Sequence, residues 1–177
     1  GNHVARMRAY YVGMGSCRAS AQVAGGPKAC AWGCLGLGDC AVVCEFGAII
    51  MDRNGLPVVN AQLCTACGDC VDVCPKHLFS LHPISHKLWV ACANRLDGDT
   101  AELACEVACT ACERCVKDAP EGLIEIRNHL AVIDYERNEL ASAAAIERCP
   151  TGAIVWRDIE AGLRKGKGAK PIIRTES

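Results

Sequence analysis

Cys64, Cys67, Cys70 and Cys74 stand in the order C-x2-C-x2-C-x3-C and run directly into Pro75. Three thiols wound into one tight loop have no sensible disulfide pairing. As thiolates they suit three corners of an iron–sulfur cube, and this spacing with its trailing proline is that of bacterial [4Fe–4S] sites. Structural zinc is the rival metal, yet zinc sites normally come as two separated C-x2-C pairs. Cys30, Cys34, Cys40 and Cys44 form a looser version, C-x3-C-x5-C-x3-C, whose loop is widened by residues of GCLGLGDC. Cys109, Cys112 and Cys115 repeat the tight spacing, but the fourth position is Ala119, followed by the expected Pro120.

Stacking the segments around the fourth position exposes an internal repeat. CAVVCEFGAIIMD from Cys40, CVDVCPKHLFSLH from Cys70, CVKDAPEGLIEIR from Cys115 and AIERCPTGAIVWR from Ala145 share a third ligand position, a fourth, and then a short apolar strand. In the last copy only Cys149 survives, and the same spacing puts the absent ligands at Glu139, Ser142 and Ala145. Two-cluster proteins of this kind are cross-wired, the fourth cysteine of each motif ligating the cluster of the other. On that rule Cys30, Cys34, Cys40 and Cys74 hold one cluster, and Cys64, Cys67, Cys70 and Cys44 hold a second. Cys109, Cys112, Cys115 and Cys149 hold a third. The four positions without cysteine, Ala119, Glu139, Ser142 and Ala145, are the four that would have held a fourth, so the expectation is three [4Fe–4S] clusters.

The elements that must position these ligands are short. GAIIMDRNGLPVVNAQ and GLIEIRNHLAVIDYE read as hairpins around Asn54-Gly55 and Asn128-His129 turns. CVDVCP and AAAIERCP read as helical turns stopped by proline. The expected organisation is an N-terminal extension (1–29), a two-cluster module (30–84), a structured linker (85–104), a one-cluster module (105–157) and a C-terminal tail (158–177). The linker carries a strand through Leu88–Ala91 and a helix from about Thr100. The basic RKGKGAKP near the end reads as a flexible tail suited to touching a partner. Cys17, Cys92 and Cys105 lack site spacing and read as small buried hydrophobes, with a thiol pair near the third cluster as the alternative. His77, His82, His86 and His129 read as solvated turn residues.

Composition excludes other classes. With 177 residues and a net charge of −1, no basic surface for nucleic acid is implied. Fifteen cysteines would suit a secreted disulfide scaffold, but GNHVARMRAYYVG places charges where a signal peptide needs an apolar core. No run approaches the roughly 18 apolar residues that span a bilayer, so no direct membrane insertion is expected. No nucleophile with a paired base, phosphate loop or flavin-binding turn is visible. Fully cysteine-ligated clusters leave no ligand position for substrate, so the chain is expected to carry electrons rather than to be an enzyme on its own.

SCRASAQVAGGPKACAWGCLGLGDCAVVCEFGAI, GLPVVNAQLCTACGDCVDVCP and NHLAVIDYE, from about Arg8 to Arg157, resemble the polyferredoxin region of the B subunit of Rnf ion-translocating oxidoreductases. No membrane anchor or separate leading cysteine motif of that family stands in these residues, and its complete fourth motif is eroded. In this trimmed form the chain is similar to the small electron-transfer subunit of tungsten-dependent class II benzoyl-CoA reductases. The resemblance implies an α+β fold of tandem bacterial-ferredoxin-like modules, the second with one cluster motif eroded. It also implies a larger, tungstopterin-containing catalytic subunit as partner, with a further redox donor or acceptor subunit, in the cytoplasm or within a membrane-associated complex. The alternative is the soluble arm of a membrane-bound Rnf-like complex or a free polyferredoxin.

Overall fold

The computed structural model describes residues 4–158 and 162–173. The chain divides into two compact units, one ending at Ile84 and the other beginning at Ser85. His3 and the last four residues lie outside the described residues.

The first unit is built from very short elements: helices α1 (Cys17–Gln22), α2 (Asp39–Val42) and α3 (Asp69–Val73), and strands β1 (Ile49–Met51) and β2 (Pro57–Val59). The strands pair antiparallel, Ile50 opposite Val58. Their connection is ordered by Asp52, whose carboxylate accepts the N–H groups of Asn54 and Leu56, both at 2.8 Å, while Gly55 takes the left-handed turn with φ 64°. Helix α1 is capped by Ser16 and fastened to α2 by Asp39. That carboxylate accepts the N–H of Cys17 at 2.8 Å, the N–H of Arg18 at 3.0 Å and the Ser16 hydroxyl at 2.9 Å. Three-residue strands and single-turn helices bury little apolar area. In metal-dependent modules of this kind ligation supplies folding free energy.

The second unit contains β3 (Leu88–Val90), α4 (Gly98–Ala104), α5 (Arg114–Asp118), the hairpin β4 (Ile124–Arg127) and β5 (Leu130–Ile133), a 3₁₀ turn (Tyr135–Leu140), α6 (Ala144–Glu147), β6 (Ile154–Asp158) and β7 (Gly162–Lys165). The hairpin turn has Asn128 and His129 both left-handed, φ 48° and 61°, the type I′ geometry whose twist matches antiparallel strands. The core gathers Leu88, Leu123, Ile124, Ile133, Ile146 and Ile154 around Cys109, Cys115 and Cys149.

Three sequence expectations change here. Segment 85–104 does contain a strand and a helix, but β3 pairs antiparallel with β6, Trp89 opposite Val155, and belongs to the second unit. Local patterning marks a strand and says nothing of a partner more than sixty residues away. RKGKGAKP is not a loose tail. Its first residues end β7, which pairs with β6, and the rest folds over the α6 turn: the N–H of Gly168 reaches Glu147 O at 2.8 Å and the N–H of Lys170 reaches Pro150 O at 2.8 Å. His86 is not simply solvated, since it stacks on Tyr135 with centroids 6.0 Å apart and 8° between planes.

Candidate metal centres

Each tight cysteine loop must turn back on itself within seven residues, and the backbone shows how. Ala66 and Gly68 of the first unit are left-handed, φ 59° and 96°, and so are Ala111 and Glu113 at the equivalent positions of the second, φ 51° and 59°. A short helix follows each loop at the same place, α3 after Gly68 and α5 after Glu113. A glutamate in the left-handed region is strained, and it is held there because the loop winds as its glycine counterpart does. Helix α2 also begins from a left-handed residue, Gly38 at φ 81°. In the fourth copy, where the sequence lacks three cysteines, the residue before α6 is Ala143 at φ −62°, an ordinary right-handed turn. The left-handed residue therefore precedes α2, α3 and α5, which follow cysteine loops, and not α6.

These loops converge as cross-wiring requires. Cys109, Cys112, Cys115 and Cys149 line one space, walled by Ile126 and Ile154. Cys44, Cys64, Cys67 and Cys70 line another, with Phe46 and Leu81 at its wall. Among the described residues, no three His, Cys, Asp or Glu side chains close on a single metal ion. The donor set, four thiols facing one apolar space, fits an iron–sulfur cluster.

The first set is assembled less directly. Cys30 and Cys40 are buried and Cys34 half-buried. Burial pushes the Cys40 thiol up to about 11, with Cys34 and then Cys17 adding to it. The Lys76 ammonium donates to Ala31 O and Gly25 O, both at 2.7 Å, tying the turn after Cys74 to the loop that carries Cys30.

Cys115 is pushed up to about 12, first by burial and then by Cys109, Cys149 and Cys112, and burial raises Cys109 and Cys70 as well. Buried thiolates crowded together are tolerable only with cations among them. Cys109, Cys115 and Cys149 are buried and Cys112 is exposed, while Cys44 and Cys70 are half-buried and Cys64 and Cys67 exposed.

Two neighbours carry no spacing signal. The Cys92 sulfur accepts the N–H of Cys109 at 3.3 Å and that of Asn94 at 3.4 Å, so it buttresses the first ligand of the third set. Cys17 is held beside Cys40 through Asp39. Both belong to motif neighbourhoods that only folding reveals.

Comparison with known proteins agrees with this geometry. Residues 29–78 match the 4Fe-4S dicluster domain family. That span holds eight of the cysteines, Cys30 through Cys74. Over 155 residues, 88% of this chain and 46% of the relative, the chain is 40% identical to the B subunit of the Na(+)-translocating ferredoxin:NAD(+) oxidoreductase complex of Acetobacterium woodii. It is 39% identical to the B subunit of the ion-translocating oxidoreductase complex of Methanosarcina acetivorans over 83% of this chain and 55% of that protein. It is 42% identical to the B subunit of the proton-translocating ferredoxin:NAD(+) oxidoreductase complex of Clostridium ljungdahlii over 81% of this chain and 51% of that protein. The chain spans about half the length of these relatives. No helix among the described residues is long and apolar enough to cross a membrane.

Proposed function

We propose that this chain is an iron–sulfur electron-transfer subunit of an Rnf-type, membrane-associated oxidoreductase complex, not catalytic on its own, with three [4Fe–4S] sites. The observation that carries the reading is the convergence of Cys44 on Cys64, Cys67 and Cys70, and of Cys149 on Cys109, Cys112 and Cys115. Cys30, Cys34, Cys40 and Cys74 complete the first site, in tandem ferredoxin-like modules whose fourth motif is eroded. A four-thiolate cluster exchanges one electron at a potential set by hydrogen bonds, charge and exposure.

The chain's own contribution is to hold the thiolates, with Ile126 and Ile154 beside the third set and Phe46 and Leu81 beside the second. The relatives favour the Rnf-type alternative over the tungstopterin acyl-CoA reductase that the trimmed fourth motif suggested. The partners are accordingly other subunits of such a complex, on its cytoplasmic side.

The test is anaerobic isolation with metal analysis and identification of co-purifying subunits. About twelve iron and twelve sulfide per chain are expected, together with flavin-bearing membrane subunits. About sixteen iron would refute the eroded fourth site, and tungsten with a large catalytic chain would restore the other partner.

A further inference from the structure

Lysine is almost never fully buried, because desolvating its ammonium is costly unless opposite charge or strong acceptors surround it. Lys28 is 3% exposed. It stands two residues before Cys30 in AGGPKAC, where an entering loop would ordinarily leave a lysine in water. The backbone turns it inward. Pro27 O accepts the N–H groups of Arg8 and Ala9 at 2.8 and 3.3 Å, and Ala29 donates to Arg6 O at 2.7 Å. These bonds, with the isolated Met7–Lys28 bridge, clamp the segment against residues 6–9. The Arg8 guanidinium adds a bond to Gly26 O at 2.9 Å. The Lys28 ammonium then donates to the carbonyl oxygen of Cys34 at 2.5 Å. Cys34 is the second cysteine of the first set.

We infer that Lys28 is a positioning residue of the first cluster: its buried ammonium sits on the backbone of ligand Cys34 and holds that cluster at a higher reduction potential than the four thiolates alone would give. The inference rests on the proposed assignment of Cys30, Cys34, Cys40 and Cys74 to one site. The sign follows from charge. Reduction adds one negative charge to an already anionic group, and a fixed cation in a low-dielectric surrounding stabilises the more negative form. The short bond to the Cys34 carbonyl, together with the clamp on both sides of Pro27, keeps the cation at one distance from the site. The second site receives no such cation from its own loop, CTACGDC, which carries Asp69 in its place.

The experiment is a dye-mediated redox titration of the intact, anaerobically purified chain, followed by electron paramagnetic resonance, in wild type, Lys28→Gln, Lys28→Met and Lys28→Arg. Lys28→Gln and Lys28→Met are expected to lower one midpoint by at least tenfold in the one-electron reduction constant, about 59 mV. The other midpoints should be unmoved, and Lys28→Arg should stay near wild type. Midpoints equal in all four proteins, with iron content unchanged, would overturn the inference alone. If the two neutral variants shed one cluster while Lys28→Arg keeps it, the ammonium holds the site rather than tuning it, which also overturns the statement. A wild-type chain whose cysteines before Ser85 hold fewer than two clusters would overturn the underlying assignment and the inference with it.

Discussion

Asn138 does for the second unit what a ligand loop does elsewhere: it fastens a turn to a strand. It is 3% exposed, in the 3₁₀ turn before α6, and its side-chain oxygen accepts the N–H of Lys87 at 2.9 Å and that of Leu88 at 3.4 Å. Its amide nitrogen donates to Leu88 O at 2.9 Å. Asn138→Ala removes all three bonds. Lys87 is exposed and can turn to water, whereas Leu88 is fully buried, so its N–H and C=O are left without partners at about 1–3 kcal/mol each. A loss of about 3 kcal/mol corresponds to roughly a hundredfold change in a local opening equilibrium. Hydrogen–deuterium exchange by mass spectrometry on the iron-loaded chain should show amides 87–90 exchanging about a hundredfold faster, with amides before residue 85 unchanged. Unchanged protection across 87–90 would refute the claim that this asparagine anchors β3. An equal acceleration along the whole chain would show that the effect is not local.

Cys149→Ala should remove only the third cluster, lowering iron from about twelve to about eight per chain, while the resonance of the other two persists; an unchanged third signal would show that Cys149 is not its ligand. Gly166→Ala places a methyl group against the Ile146 carbonyl and 2.6 Å from Glu147 Cα, so it should destabilise the Cys149 turn by about 1–3 kcal/mol as an overpacked site, seen as a lower melting temperature of the iron-loaded protein. Arg148 donates to Asp118 across α5 and α6, its Nε at 2.7 Å, and holds that carboxyl below the usual range. A depressed folded-state value stabilises above the unfolded value and is lost as pH falls, so the small stability difference between wild type and Arg148→Gln should be present at pH 7 and close below pH about 4; a difference that widened toward acid would reverse the assignment.

What could be read in advance was local. The Asn128-His129 turn announces itself because few residue pairs accept two left-handed backbones in succession, and the winding at Ala66 and Ala111 follows from cysteines two residues apart. Non-local pairing was not legible: β3 looks like a linker strand until β6 supplies its partner, and β7 looks like basic tail until the α6 turn supplies carbonyls for it. Side chains whose fate depends on such pairing are equally hidden in the sequence, His86 on Tyr135 among them. The fourth motif joins the two kinds of evidence. Spacing alone located its missing ligands, but only the fold shows what stands there now. Ala145 is fully buried in the core, Ala119 and Ala141 pack against that core, and the preceding turn has lost its left-handed residue. A loop that need not wrap a cluster can lie flat against β3, and Asn138 then meets the backbone of Leu88. On the proposed reading, hydrogen bonding and apolar packing have taken over the fastening that iron ligation provides in the other three motifs. On that same reading, the exchange goes with the continuous apolar core of the second unit, gathered from Leu88, Leu123, Ile146 and Ile154.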